Sequence, residues 1–165
     1  AVAERGFARD IGSDVICRWV HKASGVLFDL MPVQPDVLGF SNRWYAYAVE
    51  SARPADLGSG ITIRLVSAVA FIATKLEAFS SRGGGDFLTS HDLEDVLNIV
   101  DGREELLVEM AGAPAELQQA VAIAFGTLLQ DGDFANVLPG LLAEPERADL
   151  VMERLKALAS RRCAF

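Results

Sequence analysis

The hydrophobic pattern of this 165-residue chain changes its period near residue 67, and this change constrains the fold more than any other feature. Before it, short β-rich or alternating runs occupy residues 15–20, 26–31 and 61–65. After it, apolar residues recur at helical spacing. A period of two is typical of strands and a period of 3.6 of helices. We therefore expect an α+β fold, in which a small antiparallel β-sheet is followed by a C-terminal helical bundle.

Turn residues set the expected boundaries in the first half. Gly6 suits the position that closes a helix, so AVAERGF reads as the end of one. The loop HKASG joins the first two β-rich runs and predicts a hairpin. Residues 32–60 are rich in Pro, Gly, Ser and Asn, and only residues 44–52 favour a helix there. A half-buried strand over residues 61–65 should then precede a helix capped by Ser67.

The second half is expected to be entirely helical. The helix after Ser67 should break at SSRGGGD, and Thr89 with Asp92 resembles the capping box of the next helix, which Gly102 ends. Three further helices are expected at residues 103–111, 115–130 and 145–161. The pair Asp131 and Asp133 follows a helix with no β-rich run around it, so a helix stop is the better interpretation than a catalytic Asp-x-Asp strand.

Charge and composition exclude several classes of protein. The net charge of −8 argues against a protein that grips nucleic acid mainly by neutralising phosphates. The acidity is concentrated at the C-terminal end, since residues 1–60 carry six Lys or Arg against seven Asp or Glu, and residues 101–165 carry six against eleven. No 18-residue apolar run and no signal sequence is visible, so we expect a cytoplasmic protein without a membrane segment. Cys17 and Cys163 are read as reduced thiols.

Asp29 interrupts an otherwise apolar run, Val-Leu-Phe-Asp-Leu-Met. A carboxylate in such a strand must face solvent, find a partner or bind a metal. Alternation along the strand would send Asp29 outward with Leu27, which is the ordinary outcome for an aspartate. The functional alternative is a metal ligand, and the residues alone leave both open.

Two further places hold candidate polar groups. Lys75 lies among apolar residues of a helix, and Arg82 with three glycines follows, an arrangement that could receive a triphosphate but is more often a flexible turn. In SHDLEDVL, one helical face could present His91, Asp92 and Asp95 to a divalent ion. The simpler interpretation is that Asp92 caps the helix while Asp95 lies on the solvated face.

Five phrases, in this order, carry a resemblance to a known family: ICRW, FDLMP, VLGFSNRWY, ATKLEAF and SHDLEDVLNIVDGREEL. Together they resemble the bacterial nucleotidyltransferases of the AbiEii/AbiGii toxin family, over roughly residues 5–110. The resemblance implies a polymerase-β-like fold, with residues 1–66 as a partial nucleotidyltransferase core and residues 67–165 as a helical region. The last 55 residues fall outside it.

The resemblance also implies chemistry and site residues. In that family three carboxylates hold two Mg²⁺ or Mn²⁺ ions, and a hydroxyl attacks the α-phosphorus of a nucleoside triphosphate. Asp29 matches the third, metal-binding carboxylate. Lys75 matches the helix lysine near the phosphates, Arg82 follows it as a second nucleotide-binding cation, and Asp92 with Asp95 match the paired catalytic aspartates.

The other two carboxylates belong to an Asp-x-Asp strand expected ahead of residue 1, so the chain is expected to be N-terminally truncated. We therefore expect no nucleotide transfer by this chain alone. Incorporation of labelled nucleotides into RNA above that of a D29N control would contradict this.

Two functions stay open at this stage. The chain is either part of a nucleotidyltransferase, such as a toxin that modifies RNA or protein, or a non-catalytic relative that acts as a protein-interaction module. In the second case the helices over residues 113–161 could offer an amphipathic groove to a partner such as a cognate antitoxin. An exposed sheet edge could also pair two copies as a homo-oligomer.

Overall fold

The computed structural model describes residues 2–33, 42–81 and 86–160. It confirms the α+β class, since short antiparallel strands come first and helices follow. The chain forms two compact units, Ala1–Ser41 and Asn42–Phe165. Residues 42–66 therefore share a unit with the helices, whereas the division at residue 66 inferred from the sequence grouped them with the first strands. That division stays a prediction.

The first unit is a three-stranded antiparallel sheet. A 3₁₀ turn at Ala3–Arg5 ends at Gly6, whose φ of 84° suits glycine, and the expected helix end is confirmed in this short form. The strands β1 (Phe7–Arg9), β2 (Arg18–His21) and β3 (Leu27–Asp29) lie side by side in that order. The predicted hairpin is confirmed as β2 and β3. The strand β1 was not predicted, because three residues are too few to show an alternation.

The second unit begins with a short helix and a hairpin. Helix α1 spans Tyr45–Ser51, close to its prediction, and β4 (Arg53–Asp56) pairs with β5 (Thr62–Leu65). Strand β4 contains Pro54, which disfavours strands, so it was not predicted from its residues. The expectation that residues 61–65 are half-buried is wrong, because every residue of β5 is exposed.

Helices make up the rest of the second unit: α2 (Ala68–Ser81), α3 (His91–Gly102), α4 (Leu106–Ala111), α5 (Ala115–Gln130), α6 (Phe134–Val137) and α7 (Ala148–Ala159), with 3₁₀ turns at Leu138–Leu141 and Pro145–Arg147. The Ser67 cap is confirmed, since its Oγ accepts from the Ala70 amide at 3.3 Å. The Thr89 capping box is wrong. Ser90 caps α3 and accepts from the Leu93 amide, because its backbone is extended where the helix begins.

The core of the second unit lies between these helices. Its fully buried side chains come from α2 to α7 and the following turns, and include Ile72, Leu93, Leu97, Met110, Leu117, Phe125, Phe134, Leu138 and Leu155. Within residues 2–33, by contrast, Cys17 is the one hydrophobic residue that is buried. Most stability from apolar burial therefore resides in the helical unit. No helix in the described ranges is both long and apolar enough to cross a membrane.

Candidate functional site

Lys75 and the paired aspartates meet between α2 and α3. The Lys75 ammonium lies 3.0 Å from Asp92 Oδ1 and 2.6 Å from Asp95 Oδ2. It also lies 5.6 Å from the centre of the Phe71 ring, one helical turn earlier. We call Lys75, Asp92 and Asp95 the lysine–aspartate cluster. The structure therefore brings together three of the five residues that the sequence indicated.

The two helices position this cluster through their own patterns. The apolar stripe of α2 packs into the core, which leaves Lys75 at the border of the buried face. Ser90 starts α3, so Asp92 lies in its first turn and Asp95 one turn later on the same side. Negative side chains are favoured in the first turn because they meet the positive end of the helix dipole.

The three side chains of the cluster are buried to different extents, and burial determines how strongly each charge depends on its partner. The side chain of Asp92 is 11% exposed, that of Lys75 is 28% exposed and that of Asp95 is 43% exposed. A carboxylate as buried as Asp92 needs a cation nearby. The expectation that Asp92 caps the helix is wrong, since Ser90 is the cap, but Asp92 does lie in the first turn near the positive end of the helix, where it contacts Lys75.

The pKa of Lys75 depends on its burial and on its hydrogen bonds to the two aspartates. Burial alone would lower this pKa, but hydrogen bonds to Asp95 and Asp92 outweigh burial, and the pKa is raised above the usual lysine value. Lys75 therefore stays protonated across the physiological range. An ammonium has three donors, and Asp92 and Asp95 accept two of them.

Asp29, the expected metal ligand, lies in the first unit beside Arg18. The two residues face each other across β2 and β3, and the guanidinium donates to both carboxylate oxygens at 2.9 Å. This hydrogen bonding lowers the pKa of Asp29 despite some opposing desolvation. The structure therefore shows a two-point ion pair at Asp29, and the metal role stays a prediction.

The described residues do not by themselves fit Mg²⁺ or Mn²⁺. Among residues 2–33, 42–81 and 86–160 there is no group of three His, Cys, Asp or Glu side chains that could hold a metal ion. Both oxygens of Asp29 are engaged by Arg18, and a cation there would have to displace the guanidinium. Magnesium needs near-octahedral oxygen ligation, which these groups do not supply.

One further candidate, Arg82, lies outside the described residues. His91 points to solvent, with its side chain 93% exposed and 3.3 Å from Glu94, so the trio with Asp92 and Asp95, the less favoured alternative from the sequence, does not form. Asp131 forms a turn, in which its carboxylate accepts from the Asp133 amide at 2.9 Å, and the predicted helix stop is confirmed.

A groove of about 530 Å³ lies elsewhere in the second unit, between α2 and α5. Its small residues include Ala73, Ala120 and Ala124, and its rim includes Arg43 and Asp131. Lys75 follows Ala73 by two positions, about 200° around the helix. The groove and the lysine–aspartate cluster therefore lie on opposite sides of α2.

Sequence reasoning missed two features of these sites. It named Lys75 and the two aspartates without expecting them to touch, although consecutive helices joined by a short loop usually pack together. It also missed the anchor at Asn42, which is 8% exposed. The Asn42 amide donates to Thr74 O at 2.7 Å and its Oδ1 accepts from the Trp44 amide at 3.0 Å, which ties the start of α1 to α2.

Comparison with known proteins adds no relative on which to base an assignment. No family model, curated protein or solved structure matches the chain.

Proposed function

We propose that this chain acts in nucleotidyl transfer, the movement of a nucleoside monophosphate from a nucleoside triphosphate to an RNA or protein acceptor in the cytosol, as in the toxin family that it resembles. The observation that supports this most is the lysine–aspartate cluster. The resemblance places Lys75 near the phosphates and matches Asp92 and Asp95 to the paired catalytic aspartates, and Lys75 is in direct contact with both of them.

Lys75 would contact a phosphate oxygen of the triphosphate. Its raised pKa keeps it charged, its side chain is 28% exposed, and Asp92 and Asp95 fix the direction of the ammonium. A fixed cation costs little reorganisation when it meets an anion, which favours binding and transition-state stabilisation. Asp92 and Asp95 act in this proposal as positioning residues for Lys75.

The resemblance also implies Mg²⁺ or Mn²⁺, with Asp29 as a ligand, and this stays a prediction. Both oxygens of Asp29 are occupied by Arg18, so the proposal rests on the lysine–aspartate cluster and not on a metal site.

Nucleotide binding tests the proposal directly. Equilibrium dialysis of the chain with each labelled nucleoside triphosphate, with and without Mg²⁺, should show saturable binding. K75M should weaken this binding by about tenfold or more, because one charge-assisted hydrogen bond contributes about that factor to affinity. D95N should weaken binding less than K75M does, because it removes one positioning partner and leaves Asp92 in contact with the ammonium. The control is K156M, which removes an exposed lysine of α7.

The graded series separates a phosphate site from a structural ion pair. If K75M and K156M bind equally, or if D95N weakens binding as much as K75M, Lys75 does not contact the nucleotide. Circular dichroism should accompany each variant, so that loss of fold is distinguished from loss of the contact.

The groove between α2 and α5 favours a second candidate, a protein-interaction module. Its small floor residues Ala73, Ala120 and Ala124 would let an amphipathic helix approach closely, and Ile123 beside them is 61% exposed. The partner would be a cognate antitoxin. Substituting A124W should abolish capture of such a partner and leave nucleotide binding unchanged, whereas K75M should do the reverse.

A further inference from the structure

The groove between α2 and α5 has an acidic rim. Of the described residues that line it, Arg43 is the one cation, and Glu77 and Asp131 are the two carboxylates. Arg43 Nε lies 2.7 Å from Glu77 Oε2, so these two charges neutralise each other. Asp131 is exposed and has no ion pair within the part of the chain that the structure describes. The rim therefore keeps a negative charge without a compensating cation.

The α5 wall of the groove is acidic at both ends. Residues at positions i, i+4, i+7, i+8, i+11 and i+15 of a helix lie within about 100° of its circumference, because one turn takes about 3.6 residues. On α5 this stripe consists of Glu116, Ala120, Ile123, Ala124, Thr127 and Asp131, and all but Glu116 line the groove. At a rise of about 1.5 Å per residue, the stripe is about 22 Å long. Its middle is small or apolar, since the Thr127 hydroxyl donates to the Ile123 carbonyl oxygen at 3.0 Å.

The sequence around this stripe has the same sign of charge. Residues 113–137, which contain α5 and α6, carry Glu116, Asp131 and Asp133 and no Lys or Arg. Residues 86–133 carry one Arg against eleven Asp or Glu. A cationic partner is therefore attracted over longer distances as well, whereas a phosphate backbone is repelled.

The floor of the groove admits another helix. Ala73 of α2 and Ala120 and Ala124 of α5 are small, so the backbone of a ligand can approach both helices closely. Ile123 is 61% exposed and offers an apolar contact to the ligand. A stripe of about 22 Å matches about 15 residues of α-helix, and helices bind such grooves through apolar residues at helical spacing. The groove therefore fits an amphipathic helix, and the rim indicates the charge of that helix.

We propose that this groove binds an amphipathic helix of a partner protein that carries lysine or arginine at both ends of its apolar stripe. The apolar residues of the partner pack on Ile123 and the alanines of the floor, and its cations meet Glu116 at one end and Asp131 at the other. The inference rests on the protein-interaction function proposed above and adds the charge of the partner. It is independent of nucleotidyl transfer, because Lys75 lies on the opposite side of α2.

Fluorescence anisotropy of three labelled peptides, each titrated with the full chain at about 0.15 M salt, tests the proposal. The first peptide has about 15 residues, with leucine at helical spacing and lysine at the remaining positions. The second has glutamate in place of lysine, and the third has the composition of the first in an order without an apolar stripe.

The lysine peptide should bind saturably. The peptide without a stripe should bind at least about tenfold more weakly, because burial of a single leucine contributes about that factor. The glutamate peptide should not bind, since like charges across an interface repel each other.

Variants of the chain locate the bound peptide. A124W fills the groove and should weaken binding of the lysine peptide at least about tenfold. The triple variant E116Q/D131N/D133N should weaken it about tenfold, because each exposed ion pair contributes up to about fivefold. The matched control is E144Q/E146Q/D149N, which neutralises three exposed carboxylates before and at the start of α7, outside the groove lining. This control should stay within about threefold, since salt screens charges that do not contact the peptide.

Circular dichroism of each variant separates loss of the contact from loss of the fold. The charge variants leave the groove unfilled, so they keep the proposal testable if A124W does not fold. K75M should bind the lysine peptide like the wild type, which keeps this result separate from the outcome of nucleotide binding.

Equal binding of the lysine peptide and the peptide without a stripe would overturn the proposal, and so would equal weakening by the two triple variants. Binding of the glutamate peptide as tightly as the lysine peptide would reject a basic partner and leave the protein-interaction function itself intact. Self-association of the chain that A124W abolishes would assign the groove to a second copy instead.

Discussion

Replacing Lys75 by methionine should destabilise the helical unit by about 2 kcal/mol. This value lies between the 0.2–1 kcal/mol of an exposed ion pair and the 3–5 kcal/mol for breaking a buried one. The intermediate figure follows because Lys75 is 28% exposed and Asp92 only 11%. Methionine retains the apolar stem against Phe71, so the loss is chiefly electrostatic.

A double-mutant cycle apportions this energy between the two aspartates. K75M combined with D92N should show a coupling energy of about 1 kcal/mol. In K75M the buried Asp92 carboxylate loses its cation, and D92N removes that unpaired charge. K75M combined with D95N should show about 0.5 kcal/mol or less, since Asp95 is 43% exposed and water screens it.

Urea unfolding followed by circular dichroism at a helix wavelength measures all of these variants. With a slope of about 2 kcal/mol per molar urea, K75M should lower the midpoint by about 1 M. A K75M midpoint equal to that of the wild type, or strict additivity of K75M and D92N, would refute the reasoning that the buried carboxylate depends on Lys75.

Three further predictions concern the rest of the chain. The ion pair with Arg18 lowers the pKa of Asp29 in the folded protein. The stabilisation that this ion pair gives is present above the unfolded pKa of about 3.9 and is lost as the pH falls through the lower folded pKa. D29N should therefore make stability depend less on pH in acid, measured as acid unfolding by tryptophan fluorescence. Phe125 is fully buried, and F125A should cost about 3–5 kcal/mol in urea unfolding, against less than about 1 kcal/mol for I123A on the same helix. Removing the α3 cap with S90A should lower the free energy of unfolding by about 1 kcal/mol. If S90A is as stable as the wild type, another group accepts a hydrogen bond from the Leu93 amide.

Local patterns account for what the sequence predicted well. The period change near residue 67 follows directly from which face of each element is buried, and α2 and α5 were placed within a few residues on that basis. The hairpin of β2 and β3 was predicted because its loop is short and polar. Such features depend on neighbours within one turn or one hairpin.

Long-range pairing accounts for what the sequence did not predict. The exposure of β5 depends on what packs against it, which alternation alone cannot specify. The contact of Lys75 with Asp92 joins residues 17 positions apart and requires the packing of two helices. The partner of Asp29 is fixed by strand register, and a shift of one residue would have sent Arg18 to the other face.

The end of helix α3 is completed by side chains that come late in the chain. Arg154 of α7 donates to the carbonyl oxygens of Val100 and Asp101, and Arg147 donates to the Asp101 carboxylate at 2.7 Å. During synthesis, the last turn of α3 therefore emerges roughly fifty residues before the groups that satisfy it. The chain must lose the entropy of closing this loop before the contacts can form and stabilise the end of α3. The helical unit should consequently complete its folding only after Arg154 has left the ribosome, and a ribosome-stalled chain ending before Arg154 should remain more sensitive to protease than the released protein.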